Sequence, residues 1–447
     1  MFYDYRIALS MLLKEIRKIH ERRKLKKTPI SSTNIDNTFN PEKLSLKDHI
    51  KYETRFRIIW DMSSVLLENE SKNLKIKKAK IDKISNHASK IVCIEQSKEH
   101  NVCIPEYFEK TPEENITYNS PDVNIYVLNN IYIIGQTHII LNNTRNTCLN
   151  ELYYITNRRT DLSFGYLITT RGDTIYYAAE NEYIKIDKGI YLINPANYNY
   201  YHFLYETLTR LIVSDQLDSY RDWPILIDEC VRAIPNLTAL LEMVNGSHDI
   251  IWIKKNKTYS VSELIYPDTY YWMPGNILKG KKSLPKDYII SADILFKLKD
   301  ALSINLQEND CYRRIFISRK NMSTSRLSNE KEVEELFRNA GFTIIYPETM
   351  TIHEQITIFY SANCIVGASG GALANILFCK PSTKLVCIIP EEHQFYMYST
   401  IAKELGLINI FLDASIIYKT PYISSDKCYI DKDYITRFID YYKSDHK

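Results

Sequence analysis

Arg314-Ile-Phe-Ile-Ser318, Phe342-Thr-Ile-Ile-Tyr346, Cys364-Ile-Val-Gly367 and Lys384-Leu-Val-Cys-Ile-Ile389 are four short apolar runs bounded by polar residues or glycine. Runs of this length and composition read as strands, and a helical spacing fills each gap between them, which makes a βαβαβαβ unit. Such alternation dictates a parallel sheet covered by helices, with ligands beyond the carboxyl ends of its strands. The polar punctuation collects at those ends: Ser318-Arg-Lys320, then Arg326, Tyr346-Pro-Glu348 and Gly367-Ala-Ser-Gly-Gly-Ala372. A basic loop and a glycine-rich loop on one rim point to a phosphate-bearing ligand.

The same rhythm occurs upstream, with strands at Gly189-Ile-Tyr-Leu-Ile193, Trp223-Pro-Ile-Leu-Ile227 and Asp249-Ile-Ile-Trp-Ile253 and helices over Tyr201 to Asp215 and Glu229 to Val244. Between Pro105 and Gly189 the alternation at Val123–Leu128, Ile131–Ile134, Tyr166–Thr169 and Thr174–Tyr177 reads as antiparallel hairpins, with Arg171-Gly-Asp173 as a turn. Helical patterns cover Met1 to Lys27, Lys47 to Glu68 and Leu74 to Val92, with a Ser/Thr/Asn/Pro linker over Thr28 to Leu44. Further helices are expected near Ser291 to Leu302, over Ala372 to Cys379 and over Lys432 to Tyr442. The predicted architecture is α/β: two Rossmann-like domains facing a cleft, with an N-terminal helical appendage. Its divisions are 1–104 (helical extension), 105–285 (first α/β domain), 286–425 (second, Rossmann-like domain) and 426–447 (a C-terminal helix, open to crossing back).

Composition bounds what such a chain can do. At 447 residues it is too long for one ordinary core, and a hydrophobic content of 45% is ample for globular folding. A net charge of +3 sets up no global field for nucleic acid. The nine cysteines are scattered, with no C-x-x-C pair, and read as reduced thiols of a cytoplasmic protein. No apolar segment leads the chain and no run approaches the roughly 18 residues of a membrane span. The basic end of the first helix, from Arg17 to Lys27, suits either an anionic membrane surface or the helix macrodipole alone.

Chemistry concentrates in a few places. His202, Glu206 and Arg210 are spaced i, i+4, i+8 on one helix face, opposite Leu204, Tyr205, Leu208, Leu211 and Ile212, and offer a general base, an orienting carboxylate and an anion clamp. Arg319 and Arg326 carry forks suited to phosphate, with Lys320 as a point charge. Glu348, just past a strand end, can accept ribose hydroxyls. Thr351-Ile-His-Glu354 reads as a capping box, which makes Glu354 structural. Glycine at 370 and 371 lets backbone approach a ligand at a helix N-terminus. Glu391, about twenty residues on, mimics a dinucleotide-binding acid and supplies a rival reading, an NAD-type oxidoreductase. The spacing is not G-x-G-x-x-G, and that reading leaves the basic loop without a role.

Asn199-Tyr-Tyr-His-Phe-Leu-Tyr-Glu206 with Arg210, Ile315-Phe-Ile-Ser-Arg-Lys320 with Arg326 and Asn329-Glu330, Tyr346-Pro-Glu348 with Glu354-Gln355, and Gly367-Ala-Ser-Gly-Gly-Ala-Leu-Ala-Asn-Ile-Leu-Phe378 occur in an order that resembles glycosyltransferase family 61, the former DUF563 group. The resemblance covers about Gly189 to Pro390. Many relatives carry His where this chain has Ser369. The resemblance implies a two-domain GT-B fold and an inverting transfer of a hexosyl or pentosyl group from a UDP-sugar to a glycan or glycolipid, as in capsule and lipopolysaccharide assembly. No D-x-D motif precedes the glycine loop and arginines can take a metal's role, so the enzyme is expected to be metal-independent. Ser318, Arg319, Arg326, Tyr346, Glu348, Gly370, Gly371, Ala372 and Asn375 are then the donor-binding set, with no further cofactor, and His202 or Glu206 is the catalytic base. The expected location is cytoplasmic, with peripheral membrane contact through the first helix. A non-catalytic sugar-nucleotide-binding or glycan-binding module is the alternative from another class.

Overall fold

The structure, a computed structural model, describes residues 75–444 except 156, 159, 161, 163–166, 270–283, 303–308, 322–325, 394 and 420–425. The helical readings over Met1 to Lys27 and Lys47 to Glu68, and the linker between them, lie outside the described residues.

In chain order the strands are β1 (Lys75–Asp82), β2 (Lys90–Glu95), β3 (Glu99–Val102), β4 (Ile116–Asn119), β5 (Val123–Ile134), β6 (Ile140–Leu141), β7 (Thr147–Leu149), β8 (Leu167–Arg171), β9 (Thr174–Ala179) and β10 (Ile184–Tyr191). There follow β11 (Ile225–Asp228), β12 (Ile250–Ile253), β13 (Thr258–Pro267), β14 (Arg314–Ile317), β15 (Thr343–Ile345), β16 (Cys364–Ala368), β17 (Lys384–Ile388), β18 (Ile408–Leu412), β19 (Ser415–Tyr418) and β20 (Lys427–Tyr429). One large sheet has the order β12-β11-β10-β13-β5-β6-β7-β1-β9-β8, with β2 also on β5. Its first four strands are parallel, in the sequence order 3-2-1-4, and β13 passes to β5 antiparallel. The second sheet, β15-β14-β16-β17-β18, is parallel throughout. Its order, 2-1-3-4-5, is that of a doubly wound sheet, with a switch point between β14 and β16.

The second sheet forms where the apolar runs stand because β16 is buried along its whole length and β17 nearly so. Parallel strands covered on both faces need such runs. Two local expectations are corrected. The helical pattern over Leu74 to Val92 is instead β1 and β2: Ala79 and Ile81 are buried while Lys78 and Lys80 are exposed, a period of two. Pairing with β7 and β9 on either side then outweighs the helical spacing of the lysines. The hairpin expected between Leu128 and Ile131 is one 12-residue strand, β5, because Asn130 absorbs the irregularity at φ 50° while β13 pairs on either side of it. Asparagine adopts that region more readily than most residues.

The helices that matter for the site are α1, which comprises Tyr200–His202, a π turn over Phe203–Thr207 and Leu208–Ser214, α2 (Pro235–Val244), α3 (Ala292–Ala301), α4 (Glu330–Asn339), α5 (Ile352–Ser361), α6 (Met397–Glu404) and α7 (Lys432–Ser444). The segment Gly371–Phe378, expected as an α-helix, is a 3-10 helix. One apolar cluster runs through both sheets: Ile190, Ile225 and Ile227 on the first, Phe203, Leu204, Tyr205 and Leu208 on α1, Ile315 and Ile317 on the second, and Leu373 and Leu377 on the 3-10 helix. Helix α1 is therefore sandwiched between the two units, and the expected cleft is not a gap running their full depth. Phe438, Ile439 and Tyr442 of α7 pack with Val333 and Phe337 of α4, which keeps the C-terminal helix with the second sheet. Residues near Phe108 reach that sheet too, since Phe108 N–H donates to the Phe411 carbonyl at 2.8 Å and Phe411 N–H to that of Glu106 at 2.8 Å.

Candidate functional site

The carboxyl ends of β14 and β16 flank the switch point of the second sheet, and the chain places arginines there. Arg319 leaves β14 with its backbone N–H donating to Glu330 Oε1 at 2.6 Å. Its guanidinium lies against Gly370: a Cβ there would meet Arg319 Nη1 at 1.8 Å. Gly370 has φ 168°, an extended conformation open to any residue, so the arginine and not the backbone requires glycine. Arg326 donates from Nη1 to Ser369 Oγ at 2.9 Å, and its Nε is buried without a partner. Burial and the neighbouring Arg319 push Arg326 down to about 10. No carboxylate lies at ion-pair distance from Arg326 among the described residues. Two like charges held together in this way suit an anion. Gly371 and Ala372 stand half-buried at the same rim, and the space where a Gly371 Cβ would project is open.

Other members of the predicted set do different work. Ser318 Oγ donates to Glu334 Oε2 at 3.1 Å, while Tyr346 Oη, Lys320 Nζ and Arg338 Nη2 donate to Oε1 at 2.8, 3.1 and 2.7 Å. Burial raises the Glu334 carboxyl, but these four donors outweigh it and hold the group down at about 2. Ser318 and Tyr346 thus pin the basic loop from beneath. Asn375 is fully buried: Nδ2 donates to Gln355 Oε1 at 2.8 Å and Oδ1 accepts from Tyr200 Oη. Glu348 is exposed beyond the edge strand β15, without a hydrogen bond among the described residues. The capping box is present, with Thr351 N–H donating to Glu354 Oε2 at 2.7 Å and Glu354 N–H to Thr351 Oγ1 at 3.3 Å. A shallow groove beside α5, lined by Asn309, Tyr312, His353, Glu354 and Thr357, contains none of the predicted donor-binding side chains.

On α1 the π turn, closed by Leu208 N–H on the Phe203 carbonyl, brings His202 and Glu206 together at its opening. His202 Nδ1 and Glu206 Oε1 are 2.7 Å apart, and Glu206 Oε2 accepts from Asn194 Nδ2 at 2.7 Å. Both oxygens of Glu206 are therefore engaged. His202 Nε2 has no partner among the described residues, and the side chain keeps 17% of its surface exposed. Burial lowers the His202 imidazole, but the Glu206 carboxylate outweighs burial and raises it overall. Burial raises Glu206, and His202, Asn194 and Arg210 outweigh that to bring it below its ordinary value. Arg210 does not pair with Glu206; its Nη2 donates to Tyr266 Oη at 3.3 Å.

Beneath the dyad lies a second buried carboxylate that sequence reasoning missed. Asp228 ends β11 and accepts from Gln136 N–H at 2.7 Å, Asn194 N–H at 2.9 Å and Asn197 Nδ2 at 2.7 Å. Burial pushes it up to about 7 against those donors. Asp228 thereby fixes the loop whose Asn194 holds Glu206. His138 also faces this group, held neutral by burial and by Arg210, with its imidazole pushed down to about 4. The available signal was a polar residue at the carboxyl end of a parallel strand, where Asp228 and Asn194 both fall. Nothing in the sequence pattern marks His138.

A short chain of contacts links the two halves. Tyr201 packs edge-on to His202, with centroids 5.7 Å apart, and on Tyr398 at 6.2 Å; Tyr398 Oη donates to the Gly370 carbonyl at 2.6 Å. Tyr205 Oη donates to the Ala374 carbonyl at 2.7 Å. An imidazole with one open nitrogen and a pair of half-buried arginines thus stand on elements that these contacts join. Residues 200–386 match the model of the family Glycosyltransferase 61. The match supports a glycosyltransferase. A search of curated proteins returns no match to the chain. His202, Glu206, Arg319, Arg326, Gly370 and Asn375 all fall inside the glycosyltransferase 61 span, as does Asp228, whereas Asn194, Asn197 and His138 precede it.

Proposed function

We propose that the protein is an inverting, metal-independent glycosyltransferase of GT-B type that moves a hexosyl or pentosyl group from a UDP-sugar to a hydroxyl of a glycan or glycolipid. The observation that carries this reading is Arg326, its Nε buried without a partner, beside Arg319 at the switch point of the second sheet, with His202 on the helix packed against the same rim. The diphosphate lies on the two guanidiniums and the Gly371–Phe378 helix start, and Glu348 reaches the ribose. His202 Nε2 takes the proton of the acceptor hydroxyl while its oxygen attacks the anomeric carbon. The bond to the diphosphate breaks on the opposite face and UDP leaves with the electron pair, which inverts the centre. The leaving group's growing charge falls on Arg319 and Arg326, where fixed cations stabilise the transition state more than the ground state. Glu206, with both oxygens engaged, orients the imidazole and stabilises its protonated form.

The oxidoreductase alternative is weaker on one point. Glu391, the acid it would need, is ion-paired with Lys110 at 2.6 Å. A role in surface polysaccharide assembly, on the cytoplasmic face of the membrane, belongs to the same proposal; no helix among the described residues is long and apolar enough to cross a membrane. Calorimetry tests the donor site: R326A weakens UDP binding at least tenfold while the fold persists, and unchanged affinity would remove the phosphate assignment. Loss of UDP-sugar turnover on EDTA treatment, restored by Mn²⁺, would overturn metal independence. UDP binding without UDP release, across a panel of donors and acceptors, would favour the non-catalytic binding module.

A further inference from the structure

We propose that Arg210 forms a second anion subsite, at the switch point of the first sheet, that takes the carboxylate of an acidic sugar. The inference rests on the glycosyltransferase reading above. In the parallel part of that sheet the order β12-β11-β10-β13 reverses direction between β10 and β13. Crevices beyond the carboxyl ends of two such strands are where open α/β sheets hold ligands. Tyr191 closes β10, Tyr266 and Asp268 stand at the end of β13, and Arg210 projects among them from α1, its guanidinium 5.3 Å from the Tyr266 ring.

Arg210 is half-buried there, and among the described residues most of its donors are unused. Among the described residues only Nη2 is bonded, to Tyr266 Oη at 3.3 Å, and Nε is buried with no partner. Glu206 and Asp268 are the carboxylates that act on it, and among the described residues none comes within ion-pair distance. Glu206 is committed to His202 and Asn194, and Asp268 Oδ2 accepts from Asn124 N–H at 3.1 Å. A buried guanidinium with empty donors is costly unless a ligand completes it.

The charges around it favour a single negative group. Glu206 is committed to His202 across 2.7 Å. His138, facing Arg210 from the β5–β6 connection, is neutral, and burial pushes Asp268 up to about 7. Arg210 is left as the member of this group whose donors stay open among the described residues. A planar carboxylate suits the guanidinium fork and cancels that charge, whereas a phosphate dianion would leave excess negative charge beside Glu206. Because α1 also carries His202, the acid lies on the base's side of the reaction.

Calorimetry with methyl β-D-glucuronide tests this, with methyl β-D-glucoside as the neutral control and the protein saturated with UDP. The expected result is glucuronide binding at least tenfold tighter than glucoside, and a loss of at least tenfold in R210Q at unchanged melting temperature and UDP affinity. If R210Q fails to fold, R210K serves, since it keeps the charge and loses the fork, and it too is expected to weaken glucuronide binding. A preference for UDP-glucuronate over UDP-glucose that the Arg210 variant erases would assign the acid to the donor instead of the acceptor. Absence of both effects in a protein that binds UDP overturns the subsite and leaves the transferase reading standing. Glucuronide binding that depends on Arg210 in a protein that does not bind UDP supports the subsite and sinks that reading.

Discussion

The imidazole of His202 is tuned by one neighbour. Glu206 holds Nδ1 at 2.7 Å and raises the ring against the lowering effect of burial. A folded value above the ordinary one means that this pair adds stability fully present below the ordinary histidine pKa and lost as pH rises through the raised value. Catalysis runs the other way, since Nε2 accepts a proton only after the ring has lost its own, so UDP release climbs with pH through that raised value. E206Q removes the raising partner. Its ascending limb therefore moves to lower pH while turnover falls by roughly 10²–10⁴, because the tautomer is no longer fixed. A pH–rate profile with an unmoved limb would mean that another group takes the proton. The i, i+4 spacing made this pair legible in the sequence. Asn194 and Asp228 were not legible, because what aims Glu206 is a contact between a loop after β10 and the end of β11, separated by over thirty residues.

At the scale of elements, the rim of the second sheet depends on the close approach of two loops. A methyl group at position 370 would overlap Arg319 Nη1. G370A is therefore expected to displace the guanidinium, weaken UDP at least tenfold and leave secondary structure intact, as read by calorimetry and circular dichroism. Wild-type affinity would mean that Arg319 can be re-housed without loss. The strands that carry these loops could be read directly, since β14, β16 and β17 are apolar at nearly every position and such runs leave little choice. The start of the first sheet could not. Alternate lysines on β1 read equally well as a basic helix face until β7 and β9 claim both of its edges. The 3-10 form of Gly371–Phe378 was hidden too, because its apolar spacing fits an α-helix and only packing beneath α1 decides between them.

Taken whole, the molecule places the proposed base on one sheet's helix and the proposed anion site on the other sheet's rim, so the proposed catalysis needs the two units in fixed relation. Polar ties set that relation: Tyr200 and Tyr205 of α1 bond to Asn375 and the Ala374 carbonyl, and Asn236 Nδ2 of α2 donates to the Met350 carbonyl at 2.9 Å. Removing one should be felt throughout. Y205F leaves the buried Ala374 carbonyl without its partner, at a cost of about 1–3 kcal/mol, and is expected to lower the melting temperature while the UDP contacts remain. The larger stabilisation is apolar, because the cluster built on Phe203, Leu204, Leu208, Ile317 and Leu373 belongs to both units at once. Separate domains with polar interfaces melt separately, whereas a shared core couples them. Scanning calorimetry should therefore give one transition, and UDP should move all of it upward by mass action. Two resolved peaks, only one of them shifted by UDP, would mean that the units are joined by contact alone and that α1 is free to part from the rim its histidine must face.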